Sequence, residues 1–206
     1  PSSSCTFLWE TLMSIEDSGT RVGMIESRVV HEGPRLRVSM DRVCFPDASE
    51  GELEMIRHPG AAAILPILDS VEDKDPEVVL IRQYRYATDG YIYEVPAGVP
   101  DYEGEPWEAC AHRELEEETG YRAGTLIPLT PIYTTPGFTD EIIHLYAATD
   151  LTAGEVNLDV DEFVEVCRFR FSEVLEMVRT SEIVDCKSIA TILYAAQFVI
   201  GKPQTT

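Results

Sequence analysis

Positive charge is what this chain has least of: 16 Lys and Arg stand against 37 Asp and Glu, a formal net charge of −21 over 206 residues. Nucleic acid and anionic membrane surfaces are excluded as general partners, since both would be repelled. An anionic substrate would need local help from side-chain cations or metal ions. No apolar run approaches the ~18 residues of a membrane span. The five cysteines, Cys5, Cys44, Cys110, Cys167 and Cys186, are odd in number, scattered, and form no CxxC pair. That argues against a disulfide framework or zinc ribbon and for buried free thiols in a reducing, cytoplasmic setting. The stretch PSSSCTFLWE lacks the basic-then-apolar layout of a secretory leader and reads as a tail leading into the fold. There is no internal repeat and no low-complexity tract. What remains, 44% hydrophobic and 26% charged, is the composition of a folded chain with one sizeable core, or a core domain and a small accessory one.

The first third reads as β structure. RLRVSMDRV (35–43) alternates Leu36, Val38 and Met40 against Arg35, Arg37, Ser39 and Asp41, which predicts a strand buried on its apolar side. SRVVH (27–31) precedes it across Glu32, Gly33 and Pro34 as a hairpin partner, and ELEMIRH (52–58) follows. These strands form a small antiparallel sheet that the rest of the chain does not require, so the boundary is placed at 1–57 and 58–206. Beyond Pro59-Gly60, AAAILPIL (61–68) and VVLI (78–81) are nearly all apolar, which implies a mixed sheet covered on both faces in an α/β (α+β) fold. EPWEACAHRELEEET (105–119) reads as a helix, with Pro106 in its first turn and Gly120 at its C-terminal cap. Two further strands are expected around 142–148 and 163–171. A last amphipathic helix carries Ile189, Ile192, Leu193, Ala196, Val199 and Ile200 on one stripe and stops at Gly201 and Pro203.

The helix over 105–119 poses a question of charge. Residues three and four apart share a face, so Glu114, Glu117 and Glu118 converge. Their repulsion costs a few tenths of a kcal/mol per pair, roughly, in an isolated helix, which a merely solvated acidic face would tolerate. Three features point past that reading. Arg113 sits beside the cluster, where a guanidinium can orient one carboxylate and leave others free. VPAG (95–98) places a Gly-containing turn just upstream, with backbone carbonyls able to face the same space. Hard divalent cations prefer carboxylate, carbonyl and water oxygens.

With these residues in place, the stretch resembles the Nudix box, G-x5-E-x7-R-E-U-x-E-E-x-G-U with U apolar. Gly98, Glu105, Arg113, Glu114, Leu115, Glu117, Glu118 and Gly120 match, as does the seven-residue gap between Glu105 and Arg113. Six residues rather than five separate Gly98 from Glu105, and Tyr121 replaces the usual aliphatic residue. The resemblance implies a Nudix fold, a mixed sheet between helices, and hydrolysis of a nucleoside diphosphate linked to another moiety. It implies that Glu114, Glu117 and Glu118 hold Mg²⁺ (or Mn²⁺) with the Ala97 carbonyl, that Arg113 orients a box carboxylate, and that Glu105 supports the loop and helix. Divalent ions between substrate and protein would neutralise both and activate the attacking water.

The flanking sequence resembles one branch of that family, the ADP-ribose or ADP-sugar pyrophosphatases. IRQYRYATDGYIYEVPAG (81–98) resembles the strand and loop leading into the box, and TTPGFTDE (134–141) places Pro136 sixteen residues beyond Gly120. The resemblance implies hydrolysis of ADP-ribose to AMP and ribose 5-phosphate, and a homodimer formed through the N-terminal β domain. It also implies an acidic residue on a late loop, general base or ligand. NLDVDEFVEV (157–166) offers Asp159, Asp161, Glu162 and Glu165; Glu162 is the first choice and Asp161 the second. Arg82 and Arg85 are read as facing one side of their strand, available to phosphate. Glu94 is a strand-edge charge or a polar contact to substrate. Gly137 and Asp140 shape a turn or meet substrate, and Phe138 is a plug or an adenine-facing ring. Two alternatives stand: another nucleoside diphosphate sugar such as GDP-mannose, or a non-catalytic nucleotide-sensing module.

Overall fold

The structure, a computed structural model, describes residues 22–33, 36–154 and 163–202. Three strands, β1 (Gly23–Glu32), β2 (Arg37–Cys44) and β3 (Glu50–Arg57), form an antiparallel sheet in chain order. The buried side of β2 corrects the sequence expectation. Ser39, Asp41 and Cys44 are buried, Val38 and Met40 are half-buried, and Leu36 is exposed. The inward carboxylate is tolerated because it is paired: Ser27 Oγ donates to Asp41 Oδ1 at 2.6 Å and Arg57 binds the other oxygen. Alternation locates two faces of a strand; it does not say which is covered when the polar one carries its own partners. In β1 all ten residues are exposed, among them Met24, Ile25, Val29 and Val30. The chain divides into two units between Arg57 and His58.

In the second unit, β4 (Ala61–Pro66) lies within a four-stranded sheet of order β7-β4-β10-β9, where β7 is Ala97–Gly98, β9 Thr125–Tyr133 and β10 Ile142–Thr149. β4 and β10 are parallel and their other pairings antiparallel. A second sheet places β5 (Glu77–Arg85) between β12 (Val164–Arg170) and β6 (Gly90–Glu94). An Ile67–Val78 bridge joins the two sheets where β4 ends. β8 (Tyr121–Arg122) and β11 (Thr152–Ala153) make a two-residue ribbon.

The apolar runs are buried on both sides, as their composition requires. Ala61, Ala63, Leu65, Val78 and Leu80 pack toward α2 (Phe171–Arg179) and α3 (Cys186–Phe198), while Ala62, Ile64 and Val79 pack toward α1 (Trp107–Thr119) through Cys110, Ala111 and Leu115. Each fully buried Leu or Ile contributes about 2 kcal/mol of transfer free energy. α1 starts at Trp107, two residues later than expected, so that Pro106 is the N-cap and not in the first turn; Gly120 closes the helix at φ 72°, its N–H reaching Glu116 O at 2.8 Å. Leu193, placed on the buried stripe of α3, is exposed; Thr191, Ile192 and Ala195 take the inner face.

Besides the short ribbon of β8 and β11, two longer elements were not anticipated. β9 contains Pro128 and Pro131 and is possible because it is an edge strand, with Leu129 bulged opposite the Leu145–Tyr146 step. α2 buries Phe171, Val174 and Met177, and Glu173 accepts the Arg170 N–H at 2.8 Å in its first turn. No helix among the described residues is long and apolar enough to cross a membrane.

Candidate active site

β7 delivers Ala97 and Gly98 beside α1, and the helical period brings Glu114 and Glu118 against them, with Glu117 joined to the group through Arg113. Glu118, buried, accepts the Ala97 N–H at 2.8 Å. Glu114, also buried, lies so close to Gly98 that a Cβ there would sit 2.1 Å from its carboxylate. Only glycine leaves that space. Glu117, one position before Glu118, is partly open to solvent.

Arg113 binds this cluster into one body. Its Nη1 donates to Glu114 Oε1 at 2.7 Å and to Glu117 Oε2 at 3.0 Å; its Nη2 donates to Glu105 Oε2 at 3.1 Å and to the Val99 carbonyl at 2.8 Å. Burial alone would lower the guanidinium, but Glu105, Glu114 and Glu117 raise it, so it stays charged. In return Arg113 holds the Glu105 carboxyl below the usual carboxylate range. Glu105 also accepts the Asp101 N–H at 2.9 Å, and Asp101 pairs with Arg113 at 3.2 Å. The extra residue between Gly98 and Glu105 therefore falls in a loop braced from both ends, with Gly104 at φ +86° making its turn. Cys110, one turn before Glu114, is pushed up to about 12 by burial and by the Glu114 charge, and is an inert thiol.

The donor set fits a hard divalent cation: oxygen only, three carboxylates from one helix, a backbone turn against them and a glycine that makes room. Among the described residues no group of His, Cys, Asp and Glu side chains stands ready-gathered around one point. Arg113 explains this, since its guanidinium fills the space between Glu114 and Glu117 as their counter-ion.

The cationic side differs from expectation. Arg82 and Arg85 do not share a face. Three residues apart on a strand they point oppositely: Arg82 lies 4.7 Å over the Tyr91 ring and 3.4 Å from Glu165, whereas Arg85 grips Glu94 with Nε at 2.7 Å and Nη2 at 2.9 Å. Arg85 shares its strand face with Val79, which packs toward α1, so Arg85 belongs to the carboxylate helix's side of the sheet. Glu94 is 1% exposed and is held by Arg85 and by Lys187 of α3. Burial alone would raise its carboxyl; Arg85 and Lys187 outweigh that and hold it below the usual range.

In the 134–141 loop, Asp140 Oδ1 accepts the His58 N–H at 2.9 Å and Thr134 Oγ1 donates to Glu141 at 2.6 Å, while Phe138 is exposed and Gly137 faces open space. Asp161 and Glu162 lie outside the described residues; Glu165 sits on β12. Sequence reasoning missed Lys187 and His58. A lone lysine at a helix start and a histidine beside Pro59 carry no spacing signal; only the fold joins them to distant carboxylates.

A carboxylate-bearing helix, clamped by its own arginine and laid against an Ala-Gly turn on a mixed sheet, defines the class of protein in which the Nudix box is the functional element. A family model described as NUDIX domain matches residues 57–185, and the chain belongs to that family. An ADP-ribose pyrophosphatase of Bacillus subtilis (strain 168) is 36% identical over 172 residues, covering 82% of this chain and 90% of the relative. A GDP-mannose pyrophosphatase of Escherichia coli O1:K1 / APEC is 35% identical over 163 residues, 72% of this chain and 83% of the relative. The crystal structure of an ADP compounds hydrolase superposes with TM-score 0.72 at 19% identity, covering 87% of this chain and 94% of that one; that likeness concerns the fold.

Proposed function

We propose that the protein is a Nudix pyrophosphohydrolase that cleaves the diphosphate of ADP-ribose to AMP and ribose 5-phosphate. The observation that carries this reading is the Glu114, Glu117, Glu118 and Arg113 cluster against Ala97-Gly98. Water adds to one phosphorus, the bond from that phosphorus to the bridging oxygen breaks, and the bridging oxygen leaves with the other phosphate. Mg²⁺ or Mn²⁺ would be held by Glu114, Glu117, Glu118 and the Ala97 carbonyl; bound there it neutralises the diphosphate and acidifies water. Arg113 orients Glu114 and Glu117. Arg85 offers its guanidinium to phosphate, and Gly137, Phe138 and Asp140 form the loop that meets the rest of the substrate. Glu162, with Asp161 second, is the proposed general base; it must come within hydrogen-bond reach of the attacking water.

The test is AMP release from ADP-ribose by the purified protein with Mg²⁺ or Mn²⁺, beside Glu117→Gln. Turnover in the wild type, reduced more than about a hundredfold in the variant, is expected; no AMP, or equal rates, overturns the reading. A panel including GDP-mannose, compared by kcat/KM, addresses the alternative that the 35%-identical relative keeps open. A non-catalytic sensing module has less support, since every box glutamate is present.

We further propose a cytoplasmic homodimer built through the N-terminal sheet. β1, in the exposed class at every residue and carrying Met24, Ile25, Val29 and Val30, supports a second copy as its cover. Sedimentation should give twice the chain mass, and Val29→Lys with Ile25→Lys should give monomers.

A further inference from the structure

Lys187 lies in the first turn of α3, on a different element from every residue given a role above. Its side chain is only 11% exposed and its ammonium sits between Glu94 and Asp185, 3.0 Å from the latter. Enclosing a long, strongly hydrated side chain costs rotamer freedom and solvation, so its placement calls for a reason beyond covering the sheet.

The reason lies in the second cation that Glu94 holds. That buried carboxylate takes two donors from a single edge of the Arg85 guanidinium, Nε at 2.7 Å and Nη2 at 2.9 Å. A guanidinium has five N–H donors, so three remain. The Arg85 side chain is 42% exposed and stands on the face of β5 that packs toward α1 through Val79. In a fork-to-fork pair the plane of the carboxylate sets the plane of the guanidinium. Lys187 meets Glu94 at Oε2, the oxygen that also takes Arg85 Nη2, and so restricts rotation of that plane. Asp185 anchors Lys187 and is itself immobilised, because it accepts Ser188 N–H at 2.9 Å and Ser188 Oγ at 2.5 Å.

We propose that Lys187 and Glu94 are positioning residues that aim the free edge of Arg85 at the substrate diphosphate, an inference that rests on the reading of Arg85 as a phosphate-binding cation. Glu94 then meets Arg85 and not the substrate. The arrangement delivers one directed cation beside a helix of glutamates, where a flexible arginine would fold back onto the nearest carboxylate.

The test is a double-mutant cycle read on ADP, a diphosphate probe that does not depend on the hydrolysis reading. Calorimetric Kd values for ADP with Mg²⁺ are measured for the wild type, Lys187→Met, Arg85→Gln and the double variant. Lys187→Met should weaken ADP about tenfold, Arg85→Gln at least as much, and Lys187→Met should change Kd less than about twofold in the Arg85→Gln background. Lys187→Arg should recover most of the affinity. Unchanged Kd in Lys187→Met with a lowered Tm would mean a structural role only and would overturn the proposal. So would a tenfold loss that persists without Arg85, or no measurable binding of ADP by the wild type. If Lys187→Met does not fold, Glu94→Gln in the same two backgrounds reads the same coupling. A wild type that shows this coupling on ADP yet releases no AMP from ADP-ribose refutes the proposed reaction and leaves the positioning intact.

Discussion

One nitrogen of Arg113, Nη1, donates to both Glu114 at 2.7 Å and Glu117 at 3.0 Å. The helix thus carries its own counter-ion, and a divalent cation entering the cluster competes with a guanidinium rather than with water alone. Arg113→Ala should lower Tm in chelator, since the carboxylates lose their partner, and should enlarge the rise in Tm caused by Mg²⁺. Glu117→Gln should shrink that rise. Differential scanning fluorimetry with and without Mg²⁺ checks both; shifts of the same sign in the two variants would contradict the competition.

Gly98→Ala separates site geometry from stability. The new Cβ meets the movable end of Glu114, not backbone, so Tm without metal should change by less than about 2 °C. Displacing that carboxylate by an ångström should cost about a hundredfold in kcat/KM. A variant that unfolds, or one that retains full activity, would count against the cradle.

Acid unfolding should show two windows. His144, stacked on Trp107 at 4.3 Å, has its pKa lowered from 6.5 by burial. The unfolded chain takes up that proton first, so stability begins to fall as pH drops below about 6.5. Glu94 and Glu105 are held below their ordinary 4.5, so their contribution is full above about 4.5 and is lost as pH falls through their folded values. Denaturant midpoints measured from pH 8 to 3 should therefore decline in two steps; His144→Phe should remove the upper one and Glu94→Gln reduce the lower.

Thiol labelling should follow burial. At pH 8 iodoacetamide should modify the exposed Cys186 and spare the buried Cys110, whose thiol is pushed up to about 12. Peptide mass mapping checks this, with guanidinium-unfolded protein as the fully labelled control.

The residues that carry the site's chemistry were legible because their spacing is local. Arg113, Glu114, Glu117 and Glu118 lie on one helix, where the 3.6-residue period decides who meets whom, and Gly98 and Glu105 lie on β7 and in the short loop just before that helix. The apolar runs of β4 and β5 were legible for the same reason, since two-sided burial leaves no alternation to misread. What escaped was long-range or compensated. Asp41 reads as an outward residue until Ser27 and Arg57 are brought beside it. Lys187 is 93 residues from Glu94, and no periodicity reports such a pairing. β9 was hidden by prolines that an edge position tolerates. The shared face assigned to Arg82 and Arg85 failed on strand geometry itself, because a separation of three inverts direction.

Asp185 accepts from the Ser188 backbone, the Ser188 hydroxyl and Lys187, and that hydroxyl in turn accepts the Val95 N–H at 2.9 Å. Fraying of the first turn of the last helix and loosening of the strand end that carries Glu94 are consequently one opening event, not two. The amides of Val95 and Ser188, far apart in the chain, should therefore lose hydrogen-exchange protection together, because both depend on a single carboxylate.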